Sequence, residues 1–119
     1  MNLAHLIDTI KRHPDYDKAG MILCHNGIVR STSRNGRKVT GLKVNVNHEK
    51  LKRIIKENKK KPGIVEILVQ IADNRDLSIG DDVMLLAVAG DIRENVIPAL
   101  RDTLDAIKTT VTHKTEFFA

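Results

Sequence analysis

Four cations carry the chemistry most visible in this chain: Arg30, Arg93, Lys108 and Lys114. Arg30 closes the apolar run GIVR just before a polar loop. Arg93 opens a helical stretch, where free N–H groups and the helix dipole also favour an anion. Lys108 ends that stretch, and Lys114 lies on the segment after it. A guanidinium offers a planar fork to phosphate or carboxylate. A lysine among other cations can act as base or nucleophile. Three of the four sit on Asp91–Phe118, read as one long helix running into a strand. That placement points to an anion site. Taken singly, each reads more readily as an ordinary surface charge.

Other chemistry is less well supported. His5, His13, His25, His48 and His113 are scattered, with no HxxxH or Cys/His pairing, so no metal site is expected. No Walker, G-x-S-x-G or dinucleotide glycine pattern occurs, and no cofactor is expected. Asp81-Asp82 sits in a turn and reads as solvated. Cys24, the single cysteine, lies in the run MILC and reads as a small buried hydrophobe rather than a nucleophile.

Positioning such groups takes a folded scaffold, and the composition allows one. The 119 residues are 41% hydrophobic and 29% charged, one domain's length spanning 1–119. A chain of this size buries roughly 65% of its unfolded surface. Aromatics are only 3%, so the core must be Ile, Leu and Val. A lone cysteine and the lack of a ~20-residue apolar run predict a cytoplasmic protein with no membrane partner. The N-terminus, mixing acids, bases and a proline, is not a signal peptide.

Charge is uneven within the net +5: Ile28–Lys61 carries twelve Lys/Arg against two Glu, and Pro62–Ile107 three Arg against nine acids. Such a split fits an anionic ligand, a nucleic acid or a charge-matched partner. Nucleic acid is the weakest of these, with only Tyr16, Phe117 and Phe118 available for stacking.

The elements read α β β α β β α β. Leu3, Leu6, Ile7 and Ile10 define a first helix, stopped before Pro14 and packed outside a sheet. AGMILCHNGIVRSTS is a strand with a bulge or bend near Gly27. Asn35-Gly36 predicts a hairpin turn joining it to a strand over Val39–Val46. Asn47 caps a Lys/Arg-rich helix to about Lys60 that buries Leu51, Ile54 and Ile55. GIVEILVQIAD places Val65, Ile67, Val69 and Ile71 on one strand face. Asn74–Asp82 is a turn-rich connection. Val83–Ala89 reads as a central strand covered on both faces. Asp91 with Glu94 resembles a capping box. It opens a helix whose stripe is Ile92, Val96, Ile97, Leu100, Leu104 and Ile107, with a kink or a frayed first turn expected at Pro98. The fold class is α+β with a mostly antiparallel sheet.

In this order, AGMILCHNGIVR, GLKVNVN, VEILVQIADNRDLSIGDDVMLLAVAG, IRENVIPALRDTLDAIKT and KTE resemble the large, catalytic subunit of molybdopterin synthase from about Ala19 to Glu116. The chain reads as a divergent, C-terminally short member. The resemblance implies an α/β hammerhead fold with an additional small antiparallel sheet. It implies a homodimer, each subunit bound by a small ubiquitin-like sulfur carrier ending in Gly-Gly. It implies sulfur transfer from the thiocarboxylated carrier to cyclic pyranopterin monophosphate, forming the molybdopterin dithiolene, without a cofactor on the large subunit. Lys108 matches the catalytic lysine of the family's Leu-Lys-Thr segment, and Lys114 the second lysine. Arg30 matches the arginine ending the first strand, and Arg93 that of a His-Arg pair whose histidine is Ile92 here. Arg30 and Arg93 are expected to hold phosphate, and Lys108 and Lys114 to engage the thiocarboxylate. Two alternatives stand beside this: a non-catalytic or substrate-shifted dimeric relative, and a basic nucleic-acid-binding module.

Overall fold

The run DVMLLAVAG can bury both faces of a strand, and the fold is built on it. In the computed structural model, which describes residues 1–119, this run is β5 (Asp82–Gly90), closed from solvent from Met84 onward. It is the centre of an antiparallel sheet flanked by β1 (Met21–Ile28) and β3 (Ile64–Ile71). Each fully buried Leu or Val of this strand contributes about 1.5–3 kcal/mol. One face receives α1 (Leu3–Lys11), whose Leu6 and Ile10 pack on Leu85, Ala87 and Ala89. The other receives α3 (Arg93–Ala106), whose Val96 and Ala99 pack on Ile67, Leu86 and Val88. The double cover expected for this strand is thus observed.

A second antiparallel sheet has the order β4-β2-β6. It consists of β2 (Val39–Val46), β4 (Asp76–Ser78) and β6 (Thr112–Phe118). Val29, Leu42, Val44, Ala72 and Leu77 form a core between the two sheets. Between β2 and β3 runs α2 (His48–Lys59), with Asn47 Oδ1 accepting from Lys50 N at 3.1 Å as its cap. The α+β class with a second small sheet is therefore what the chain adopts.

Several local expectations are corrected. The Asn35-Gly36 turn forms, with Gly36 at φ +86° and Thr32 bridging Lys38. The strands on either side of it do not pair: β1 bonds to β5, and β2 to β4 and β6. Turn chemistry fixes four residues, whereas strand partners are fixed by which apolar faces must meet. The Asn74–Asp82 connection contains β4. The bulge at Gly27 is present, and a second lies between Ile64 and Glu66. That second bulge turns Val65 to the α1 side, away from the Ile67 face. Leu51, Ile54 and Ile55 are half-buried rather than buried.

The α3 stripe also differs. Ile92 and Ile97 are exposed, and the buried line is Val96, Ala99 and Thr103, continued by Ile107. Its N-cap is Ile92, without a side-chain cap. Asp91 secures the start instead: its Oδ1 accepts from Ile92 N at 2.7 Å and Asn95 Nδ2 at 2.9 Å. The helix runs on past Pro98 to Ala106.

Candidate functional site

Beyond α3, residues Ile107–Val111 form a π-helical turn before β6 begins. The sequence IKTTV accounts for it. Ile107 and Val111 are buried beside Met84, anchoring the turn at both ends. Threonine hydroxyls take up carbonyls left by the wider winding: Thr109 donates to Asp105 O at 2.9 Å, and Thr110 to Ala106 O at 2.7 Å. Lys108, between the two anchors, is left exposed. Single π-turns inside helices are rare and concentrate at functional sites.

Strand alternation then sets the next side chains. Thr112, Lys114 and Glu116 share one face of β6, opposite Val46, Val44 and Leu42 of β2. The result is a cavity of about 540 Å³ at the seam between the two sheets. Its walls are His25–Ile28 of β1, Leu42 and Val44 of β2, Val83 and Met84 of β5, with Arg34, Lys108, Thr112 and Lys114. A second cavity of about 610 Å³ shares Ile28, Arg34, Leu42, Lys108 and Lys114 with it and adds Arg30, Thr32, Ser33 and Glu116. The volumes suit a small organic ligand. None of Arg30, Arg34, Lys108 and Lys114 makes an ion pair within the chain. Arg30 Nε donates to Thr32 O at 2.8 Å, which holds its guanidinium at the loop. Four cations without an ion pair surround the two joined hollows, against one carboxylate, Glu116, in the second, and such a surplus of positive charge favours an anion.

The chain matches the family model described as MoaE protein over residues 2–110. It belongs to the MoaE family. Molybdopterin synthase of Staphylococcus aureus is similar at 25% identity and TM-score 0.74, over 87% of this chain and 77% of that one. The molybdopterin cofactor biosynthesis protein E of Burkholderia multivorans shares the fold at 20% identity and TM-score 0.79, over 100% and 82% of the two chains. A complex of subunits 1 and 2 of molybdopterin-converting factor from Helicobacter pylori contains the same fold at 18% identity and TM-score 0.72, over 100% and 84%. No curated protein matches the chain. As a MoaE family member, a large subunit of molybdopterin synthase by kind, the protein belongs to molybdenum cofactor biosynthesis.

Three of the four residues singled out in the sequence thus meet: Arg30, Lys108 and Lys114 line the joined cavities. Arg93 does not. It opens α3 beside Gly20, Met21 and Asp91, exposed, with Glu94 Oε1 at 3.5 Å. Arg93 opens α3 and Lys108 follows its other end, so within one chain the helix holds the two apart.

Two residues that line these cavities were not picked out by sequence. Arg34 lies in the polar turn STSRNGRK, where nothing marks one cation among several. His25 carried a readable signal: it continues the Met21, Leu23 face of β1, where an apolar side chain is due. Its pKa is lowered from the ordinary 6.5, by burial first and then by the Lys108 charge. Cys24, on the opposite face, packs with the α1 cluster, and burial raises its pKa, as for an unreactive thiol. No helix is long and apolar enough to cross a membrane.

Proposed function

We propose that this MoaE family member transfers sulfur from a thiocarboxylated small carrier subunit to cyclic pyranopterin monophosphate, forming the molybdopterin dithiolene. The observation that carries the reading is the set of unpaired cations, Arg30, Arg34, Lys108 and Lys114, around two joined cavities. The substrate is a cyclic phosphate and the carrier tail a thiocarboxylate, so both ligands are anions. Two hollows sharing a wall of cations can hold both at once, which turns a bimolecular transfer into a local one.

In this reading Lys108 and Lys114 engage the thiocarboxylate. Their charges stabilise negative charge that builds on its carbonyl oxygen as water adds to the acyl carbon, before the carbon–sulfur bond breaks. Each pterin carbon–sulfur bond forms as a pterin carbon–oxygen bond breaks; water then cleaves the acyl carbon–sulfur bond and returns the carrier terminus as a carboxylate, so two carrier tails supply the two sulfurs of the dithiolene. Arg30, with Arg34 beside it, holds the phosphate. Arg93 contributes from the second copy of a homodimer. The Helicobacter pylori complex of subunits 1 and 2 supports a small-subunit partner for this chain.

The test is conversion of the pterin precursor by purified protein with thiocarboxylated carrier. Dithiolene formation is expected. Well-folded protein that binds both ligands and yields no dithiolene would favour a non-catalytic dimeric relative instead.

A further inference from the structure

His25 is the one ring side chain in a cavity lined otherwise by Arg34, Lys108 and Lys114, the polar Asn26 and Thr112, and apolar residues. Its Nε2 is closed from solvent and has no protein partner. Gly27, two residues on, leaves the ring its room: a Cβ there would stand 3.3 Å from Nε2. An unmet nitrogen at a strand position suited to an apolar residue is costly unless it serves a ligand.

The charged neighbours are all accounted for. Lys108 faces the cavity from the π-turn, Lys114 from β6 and Arg34 from the loop after β1. Glu116 lies in the adjoining cavity. Across β1, His25 pairs with Leu86 and Gly27 with Met84, neither of them charged. Asp82, at the end of β5, is held by Asn26 Nδ2 at 3.1 Å. No carboxylate lines the cavity that holds the ring.

We infer that His25 is a further ligand-binding residue of this site, taking up a proton when an oxyanion settles against Lys108 and holding that anion through its ring N–H. The choice of an oxyanion rests on the proposed function. Without the anion, burial and the Lys108 charge keep the imidazole neutral below its usual range. An anion on Lys108 cancels that repulsion and supplies the acceptor that the ring lacks. The folded protein then binds one more proton with ligand than without. By linkage, anion affinity must rise as pH falls through the interval between the two His25 pKa values. The class of ligand is a small oxyanion: a phosphate ester or the carboxylate-like end of a peptide.

Sulfate is the probe, because its charge is constant across this range. Ring signals of His25 are followed by NMR through a pH titration with and without sulfate in wild type and Lys108→Ala, and sulfate affinity is measured across the same pH range in wild type and His25→Gln. Sulfate should raise the His25 pKa. Wild-type sulfate affinity should climb by up to about tenfold per pH unit below the ordinary histidine range. His25→Gln, which keeps a polar group that cannot titrate, should bind with a flat profile. Lys108→Ala should titrate His25 at higher pH without sulfate and lose the sulfate-induced shift. Sulfate binding that leaves the His25 ring unchanged would overturn the inference, as would no sulfate binding, or pH dependence surviving in His25→Gln. Should His25→Gln not fold, the wild-type ring titration decides alone. A shifted His25 in a protein that makes no dithiolene keeps this inference and removes the proposed function.

Discussion

Arg93 opens α3 and Lys108 stands in the π-turn just past its other end, about 22 Å along the axis at 1.5 Å per residue. No phosphate-sized ligand spans that distance. If both serve one reaction, they come from different copies of the chain. A two-fold dimer would then place one copy's Arg93 at the other's cavity, and the reverse. Arg93→Ala and Lys108→Ala, each inactive alone, should complement when unfolded together and refolded. Half the dimers would be mixed, and each would carry one intact site, so about a quarter of wild-type dithiolene formation should return. A mixture no better than its parents would exclude Arg93 from acting across the dimer.

Lys108→Ala alone should abolish dithiolene formation without weakening the fold. The side chain is exposed and makes no ion pair, so its loss should shift unfolding free energy by within about 0.5 kcal/mol. Parallel measurement of turnover and urea unfolding separates the two effects. Wild-type-like turnover by this variant would remove Lys108 from the chemistry.

Ile107→Ala should do the reverse in part. Ile107 is fully buried with Met84 and Val111 and anchors the π-turn that presents Lys108. Truncation should cost about 2–5 kcal/mol in urea unfolding. Turnover should fall as well, though every cation is still present, because the turn no longer fixes where Lys108 points. Full turnover in the destabilised variant would show that the π-turn is not needed for placement.

Gly63→Ala should destabilise despite adding only a methyl group. Gly63 sits at φ +76°, and a Cβ there would collide with the Asp91 carboxylate. The left-handed conformation alone costs about 1–2 kcal/mol for a residue with a side chain. Displacing Asp91 also frees Ile92 N and Asn95 at the start of α3. A melting temperature equal to wild type would contradict both effects.

What was legible in the sequence was local. Asn47 caps α2 because its side chain reaches its own helix. The bulge at Gly27 and the covered strand at Asp82–Gly90 follow from glycine and from a run apolar on both faces. Long-range choices were not legible. Asn35-Gly36 made its turn while β1 and β2 went to different sheets. The bulge at Val65 reversed that residue's face, and no residue type announces such an insertion. At the site, Lys108 and Lys114 were found because a family pattern singles them out. Arg34 was missed because only the fold brings that loop to the seam. His25 was passed over among five scattered histidines, although its place after Met21 and Leu23 distinguished it.

The pairing of Lys61 with Asp102 ties the end of α2 to α3, with Nζ to Oδ2 at 2.6 Å. Asp102 has its pKa lowered from the ordinary 3.8, first by the Lys61 hydrogen bond and then by the charges of Lys61 and Arg101. A lowered carboxylate pKa means that the unfolded chain binds the proton more readily. The pair therefore contributes stability above about pH 3.8, and the contribution is lost as pH falls through the lower, folded value. Both side chains are over a third exposed, so solvent and salt screen the effect. Asp102→Asn should be slightly less stable than wild type from neutral pH down to about pH 4, and the gap should close below that. The gap should also narrow in high salt at neutral pH. Urea unfolding of the two proteins across pH 2–8 measures it, and a gap that widens in acid would mean that the pair is not what Asp102 contributes.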